Sequence, residues 1–154
     1  MDKLPFVPRS GQIDFTHARY APVINCLVTH KGKILIVKRS HDSEYYPDLW
    51  AGISGFLDDA KTIEEKVEEE LSEELGVPPT QIVKIKTGPV FEHNGHDYKK
   101  VWIAHPVWVE ISTDKLTLDW EASEYKWIAP KEVKNYTFGP GFLAVFCLFY
   151  PNYL

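Results

Sequence analysis

Three carboxylates, Glu70, Glu73 and Glu74, lie within five residues of one another in the segment EEKVEEELSEE, residues 64–74. That segment carries seven glutamates against one lysine, enough to account for the whole chain's net charge of −5. On a helical wheel the three carboxylates fall within roughly 100° of each other. Like charges at the 70/74 spacing cost roughly a few tenths of a kcal/mol, and Glu73 and Glu74 sit at the unfavourable, negative end of the helix dipole. A cation that cancels them is one explanation, and hard oxygen ligands in this number suit Mg²⁺ or Mn²⁺. A solvated acidic helix face is the other, and composition alone does not separate the two.

The element that must position these groups is legible. Thr62 followed by Glu65 forms a capping-box pattern, so the helix is expected to begin at Ile63 and to stop at Gly76. Ile63, Val67, Leu71 and Leu75 recur every four residues and form one apolar stripe for the core. Glu70, Glu73 and Glu74 border that stripe and are expected to be half exposed. Glu64 and Glu65 suit the positive end of the dipole, and Glu68 is expected to be solvated.

Around this helix the chain alternates strand-like runs and turns. YAPVINCLV and KILIVKR, separated by THKG, predict a β-hairpin. A loop rich in Tyr and Pro, SHDSEYYPDLW, leads to a short strand in AGISGF. IVKIKTGPVFEH and HDYKKVWIAHPVWVEI predict a second hairpin with Asn94-Gly95 as a type I′ turn. YKWIA predicts a last strand, PKEVKNY a helix opened by proline, and GFLAVFCLFY a buried closing helix. The order implies an α+β fold, a mixed or mostly antiparallel sheet with helices packed against it.

Composition narrows the class. At 154 residues, 44% hydrophobic and 25% charged, the chain is expected to form one domain over 1–154, with 1–19 as an N-terminal arm. The first residues lack the apolar run of a signal peptide, and Phe142–Tyr150 is about half of a membrane span, so a cytoplasmic protein with no membrane partner is expected. The acidic balance argues against binding to large nucleic acids. Cys26 and Cys147 sit among apolar residues and are expected to pack as small hydrophobes.

The segment from Gly55 to Val77 resembles the Nudix box, G-x5-E-x7-R-E-U-x-E-E-x-G-U, where U is aliphatic. Gly55, Glu70, Leu71, Glu73, Glu74, Gly76 and Val77 fall in register without a gap. KILIVKRS resembles the strand before the box, and LDWEASEYKWIAPKEV the later segment that returns a glutamate to the site. The resemblance implies a Nudix-type fold, a sheet sandwiched between helices, and Mg²⁺-dependent hydrolysis of a nucleoside diphosphate linked to another group. It implies Glu70, Glu73 and Glu74 as metal-binding glutamates and the Gly55 carbonyl as a further ligand. Glu121 takes the place of the late glutamate that binds metal or acts as base, with Glu124 and Glu92 as alternatives. Family members are often dimers, so the resemblance also leaves room for a homodimer.

Two positions depart from the pattern: Lys61 stands where the family has glutamate, and Glu69 where it has arginine. The double change reads as a charge swap that keeps one opposite-charge pair, Lys61 with Glu69. Lys61 could also meet a substrate phosphate. The loss of one carboxylate opens a second reading, a Nudix-fold nucleotide-binding module without hydrolysis. A third, suggested by YPDLWAGISG, is an isopentenyl-diphosphate isomerase; such enzymes need a catalytic cysteine near that strand, and none is present there.

Other residues carry weaker signals. Lys38 and Arg39 end a strand that should open toward the site and could hold a phosphate; a solvated strand end fits equally. Tyr45, Tyr46 and Trp50 could stack on a base or pack a loop. His93 and His96 have metal-ligand spacing, but a cross-strand pair beside the Asn94-Gly95 turn explains them more simply. Phe91, Trp102 and Trp108 are expected in the core or in a pocket wall.

Overall fold

The computed structural model describes residues 6–153; the first five residues of the expected arm lie outside them. The first hairpin forms as expected, from β1 (Tyr20–His30) and β2 (Lys33–Arg39). Its turn is made by Lys31 and Gly32, both at positive φ (48° and 77°), as a two-residue connection between twisted strands requires.

The two strands pair only beside that turn, at Thr29–Ile34 and His30–Lys33, and then diverge. Two short strands fill the fork. β3 (Trp50–Ala51) pairs with β2, and β4 (Ile53–Phe56) pairs with β1. Between them Gly52 packs so closely that a Cβ would lie 2.5 Å from the Cys26 carbonyl oxygen. This fork opens the sheet for a cavity.

The remaining strands are β5 (Ile82–Thr87), β6 (Phe91–Gly95), β7 (Lys100–Ile111) and β8 (Ala122–Ile128). β7 runs parallel to β1 from Tyr20–Val101 to Thr29–Glu110. β5 and β6 pair antiparallel with β7, and β8 with β2, so the sheet is mixed, with eight strands among the described residues.

Alternating residues of β1 face opposite layers. Ile24, Cys26 and Val28 pack with Val67, Leu71 and Leu75 of α1 (Ile63–Leu75). Leu27 packs with Phe142, Val145 and Phe146 of α2 (Phe142–Phe149). The sheet is thus sandwiched between helices, the Nudix-type α+β arrangement. The three fully buried α1 side chains each contribute roughly 1.5–3 kcal/mol, which anchors the acidic helix. Its ends match the sequence pattern: Thr62 and Glu65 exchange cap hydrogen bonds, and Gly76 closes the helix at φ 66°.

Four local expectations are corrected. Asn94-Gly95 is not a turn; both residues continue β6, opposite Val101 and Lys100. A 3₁₀ turn at His96–Tyr98, closed by Lys99 at φ 54°, reverses the chain instead. Gly95 is required there for space, because a Cβ would strike Trp102 Nε1 and the Tyr46 hydroxyl. His93 and His96 are therefore no cross-strand pair, since His93 lies opposite Trp102.

The PKEVKNY segment forms a 3₁₀ helix over Pro130–Asn135. The closing helix α2 is buried on one face only: Leu143, Cys147 and Leu148 are exposed, because the sheet covers a single stripe of its eight residues. Among the described residues no helix is long and apolar enough to cross a membrane.

Candidate active site

α1 presents its carboxylates to a cavity of about 940 Å³ at the fork of the sheet. Oxygen atoms of Glu69, Glu70 and Glu73 lie within 4.8 Å of one another. Of the expected trio Glu70, Glu73 and Glu74, the first two share this tight cluster with Glu69, and Glu74 lines the same cavity. The buried Oε2 of Glu74 has no hydrogen-bond partner, and its carboxyl lies against that of Glu121.

Crowding and burial disfavour charge on these groups. Burial first, then the carboxylates of Glu121 and Glu73, push Glu70 up to about 8. Glu74 is pushed well above the ordinary range by burial, then by Glu121, Glu70 and Asp119. Burial and Glu69 raise Glu73. Gly55 of β4 lies directly against this group, since a Cβ there would collide with the Glu70 carboxylate.

Glu121 reaches the site from the residue before β8. Its carbonyl accepts from Ser40 N (2.9 Å) and Ser43 Oγ (3.4 Å), and its own N donates to Asp119 Oδ1 (3.0 Å). Of the alternatives, Glu124 and Glu92 are exposed and outside the cavity wall, whereas Glu121 lines it.

Lys61 and Glu69 meet, with Nζ 3.1 Å from Oε2. They do not meet alone. Lys66, 2% exposed, places Nζ 3.2 Å from Asp58, 3.1 Å from Asp59 and 3.5 Å from Glu69. Lys61 also bonds Asp59 at 2.8 Å, and this contact is the main cause holding Asp59 below the ordinary carboxylate range. Sequence reasoning missed Lys66. The available signal was its position on the 66/70/74 row of the helix, beside the apolar stripe.

The arm adds two unexpected residues. Arg9 lies 3.7 Å from Glu69 Oε1, and Gln12 Nε2 donates to Asp58 Oδ2 at 2.8 Å. Arg39 lines the cavity, with Nε donating to the Tyr45 carbonyl at 2.7 Å; Lys38 does not line it. Tyr46 lines it too, its hydroxyl accepting from Trp102 Nε1 at 2.9 Å. Trp50 points elsewhere, packing edge-on to Tyr136 under Lys126. Lys61 is likewise outside the cavity wall.

Cys26 corrects another inference from sequence order. Register sets it opposite Ile53 of β4, so a cysteine does stand beside AGISGF. Burial first, then Glu74 and Glu70, raise its thiol well above the ordinary value, and it packs as a protonated core residue.

The NUDIX domain family model matches residues 19–146. The chain belongs to the Nudix family. Solved structures share the Nudix fold at low identity. The NUDIX domain of Shewanella oneidensis NrtR, complexed with ADP ribose, superposes with a TM-score of 0.69 at 19% identity, covering 82% of this chain and 84% of that one. A MutT protein from Methanosarcina mazei Go1 gives 0.64 at 20%, covering 84% and 91%. An Ap4A hydrolase from C. elegans gives 0.65 at 13%, covering 84% and 94%. Comparison with curated proteins gives no match. Nudix enzymes generally use divalent metals, and the donor set fits one: clustered carboxylate oxygens, all hard, on groups that burial disfavours as bare anions.

Proposed function

We propose that this Nudix protein is a Mg²⁺-dependent pyrophosphohydrolase, with Mn²⁺ as an alternative metal, that cleaves a nucleoside diphosphate linked to another moiety by attack of water on phosphorus. The observation that carries the reading is the convergence of Glu69, Glu70, Glu73, Glu74 and Glu121 on one cavity large enough for a nucleotide. Residues 1–154 are taken as one domain, with 1–19 as its arm.

Glu70 and Glu73 would hold the metal, with Glu74, Glu69 and the Gly55 carbonyl within the same donor set. When bound, the metal neutralises phosphate oxygens and lowers the pKa of a coordinated water. Glu121 serves as the general base. Its backbone is pinned on both sides and its carboxyl lies beside Glu74 at the cavity, within reach of a water there from which it would take a proton. Arg39 and Arg9 supply the positive charge for the outer phosphate oxygens.

Loss of the family's first glutamate opens the binding-module reading, while retention of Glu70, Glu73 and Glu74 favours an enzyme. Glu69 answers the first point, because the swap returns a carboxylate beside Glu70 and Glu73. The test is a Mg²⁺-dependent turnover screen across nucleoside triphosphates, dinucleoside polyphosphates, nucleotide sugars and ADP-ribose. Turnover that disappears in Glu70→Gln supports the hydrolase; tight binding with no turnover at any metal concentration supports the binding module.

A further inference from the structure

The cavity does not end at the carboxylates. It passes through the fork of the sheet to the α2 side, where two polar side chains stand in a mostly apolar wall. Asn25 of β1 shares its face with Val23 and Leu27, and its Nδ2 is buried with no hydrogen-bond partner. His93 of β6 reaches the start of α2, where its Nδ1 is also buried and unpartnered. The fit at His93 is close: a Cβ on Gly141 would lie 2.8 Å from its Nε2. Leu27, Pro140, Phe142 and Val145 complete the wall.

Buried polar groups without partners are rare and destabilising. Two in one cavity, on different strands, point to a ligand that supplies both. A phosphate finds no cation among these six side chains. A sugar would bring more hydroxyls than the wall can satisfy, and a hydrocarbon would leave both polar atoms unpaired. A flat heterocycle suits both demands, with apolar faces for the wall and a polar edge for the amide and the imidazole. Burial lowers the His93 pKa, so the neutral ring offers one N–H and one bare nitrogen.

We propose that Asn25 and His93 form a nucleobase-reading subsite at the α2 end of the cavity, the edge of the base bonding to Asn25 Nδ2 and His93 Nδ1. This rests on the nucleotide reading above and adds the residues that set base preference. These are specificity-determining groups, remote from the reacting phosphorus.

Calorimetric titration with α,β-methylene analogues of ADP, GDP, CDP and UDP, against methylenediphosphonate as the base-free control, tests it in the presence of Mg²⁺. At least one analogue should bind tenfold or more tighter than the control. Asn25→Leu and His93→Phe should each shrink that advantage at least tenfold and leave control binding unchanged. Because each removes an unpaired polar atom, neither should lower the melting temperature. Should either fail to fold, Asn25→Gln and His93→Gln displace the same atoms in a polar side chain, and the same criteria apply. Analogues that bind no tighter than the control overturn the subsite. So do variants that bind every analogue as the unmodified protein does, including any whose stability falls, which would mark a structural water at these atoms. The two readings fail separately: turnover without base discrimination removes the subsite alone, and base discrimination without turnover removes the hydrolase alone.

Discussion

Lys66 Nζ lies 3.2 Å from Asp58 Oδ1 on the inner side of α1, and the lysine is 2% exposed. A buried cation held by three carboxylates locks the loop before the helix onto the helix itself. Removing one member strands the others in low dielectric. Lys66→Met is expected to cost about 3–5 kcal/mol. Lys61, 37% exposed, shares two of the same carboxylates from the solvent side, and Lys61→Ala is expected to cost far less than Lys66→Met. Urea denaturation of both variants measures the contrast; equal losses would show that the buried lysine is not the anchor.

The charge swap can be reversed. Lys61→Glu alone faces Asp59 and Glu69 with a third like charge, and Glu69→Lys alone sets a cation beside Lys61, Lys66 and Arg9. Both singles should lose stability, and the double variant should recover part of it. Recovery should be incomplete, because Lys66 also leans on Glu69 and the new lysine would crowd it. A double-mutant cycle measures the coupling; strictly additive losses would refute pairing between 61 and 69.

How far the sequence alone reveals the fold depends on what kind of force places each residue. α1 was legible end to end because its cap, its four-residue apolar repeat and its terminal glycine are local signals that agree. Asn94-Gly95 misled because a turn preference for positive φ yields to tertiary packing: Gly95 serves the space beside Trp102 and Tyr46. Trp50 and Tyr46 looked alike in one loop, yet pairing of β3 with β2 turns the first to Tyr136 while the second lines the cavity. Lys66 resembled any solvated helix lysine, since its partners Asp58 and Asp59 lie before the cap. Asn25 and Cys26 are adjacent, and only the sheet separates their faces. No single-chain pattern marks a cavity formed by strands that diverge.

Proton and metal compete for the glutamates, so pH should act in opposite directions with and without metal. Glu70 has an ordinary value of 4.5 and is raised to about 8 in the folded, metal-free chain. The folded state then binds more protons than the unfolded one between those values, and stability must fall as pH rises through that window. With a chelator present, the melting temperature should drop from pH 5 to pH 8, and Glu70→Gln should flatten the drop. With Mg²⁺ the stabilisation by metal should grow over the same range, because deprotonated carboxylates are the ligands. A melting temperature independent of pH in chelator would refute the crowding of these carboxylates.

The general base is the most direct choice among three glutamates. Glu121 lies against Glu74 and lines the cavity, while Glu124 pairs across from Lys38 on β2 and Glu92 faces solvent on β6. General-base loss costs roughly 10²–10⁴-fold in rate. Glu121→Gln should therefore lower kcat by that order with little change in fold, since the backbone contacts of residue 121 are untouched and glutamine keeps the shape of the side chain beside Glu74. Glu124→Gln and Glu92→Gln should remain within about twofold of the unmodified enzyme. Steady-state kinetics on whichever substrate the screen returns decides it: a large loss at Glu124 or Glu92, with Glu121→Gln active, would move the base to that residue.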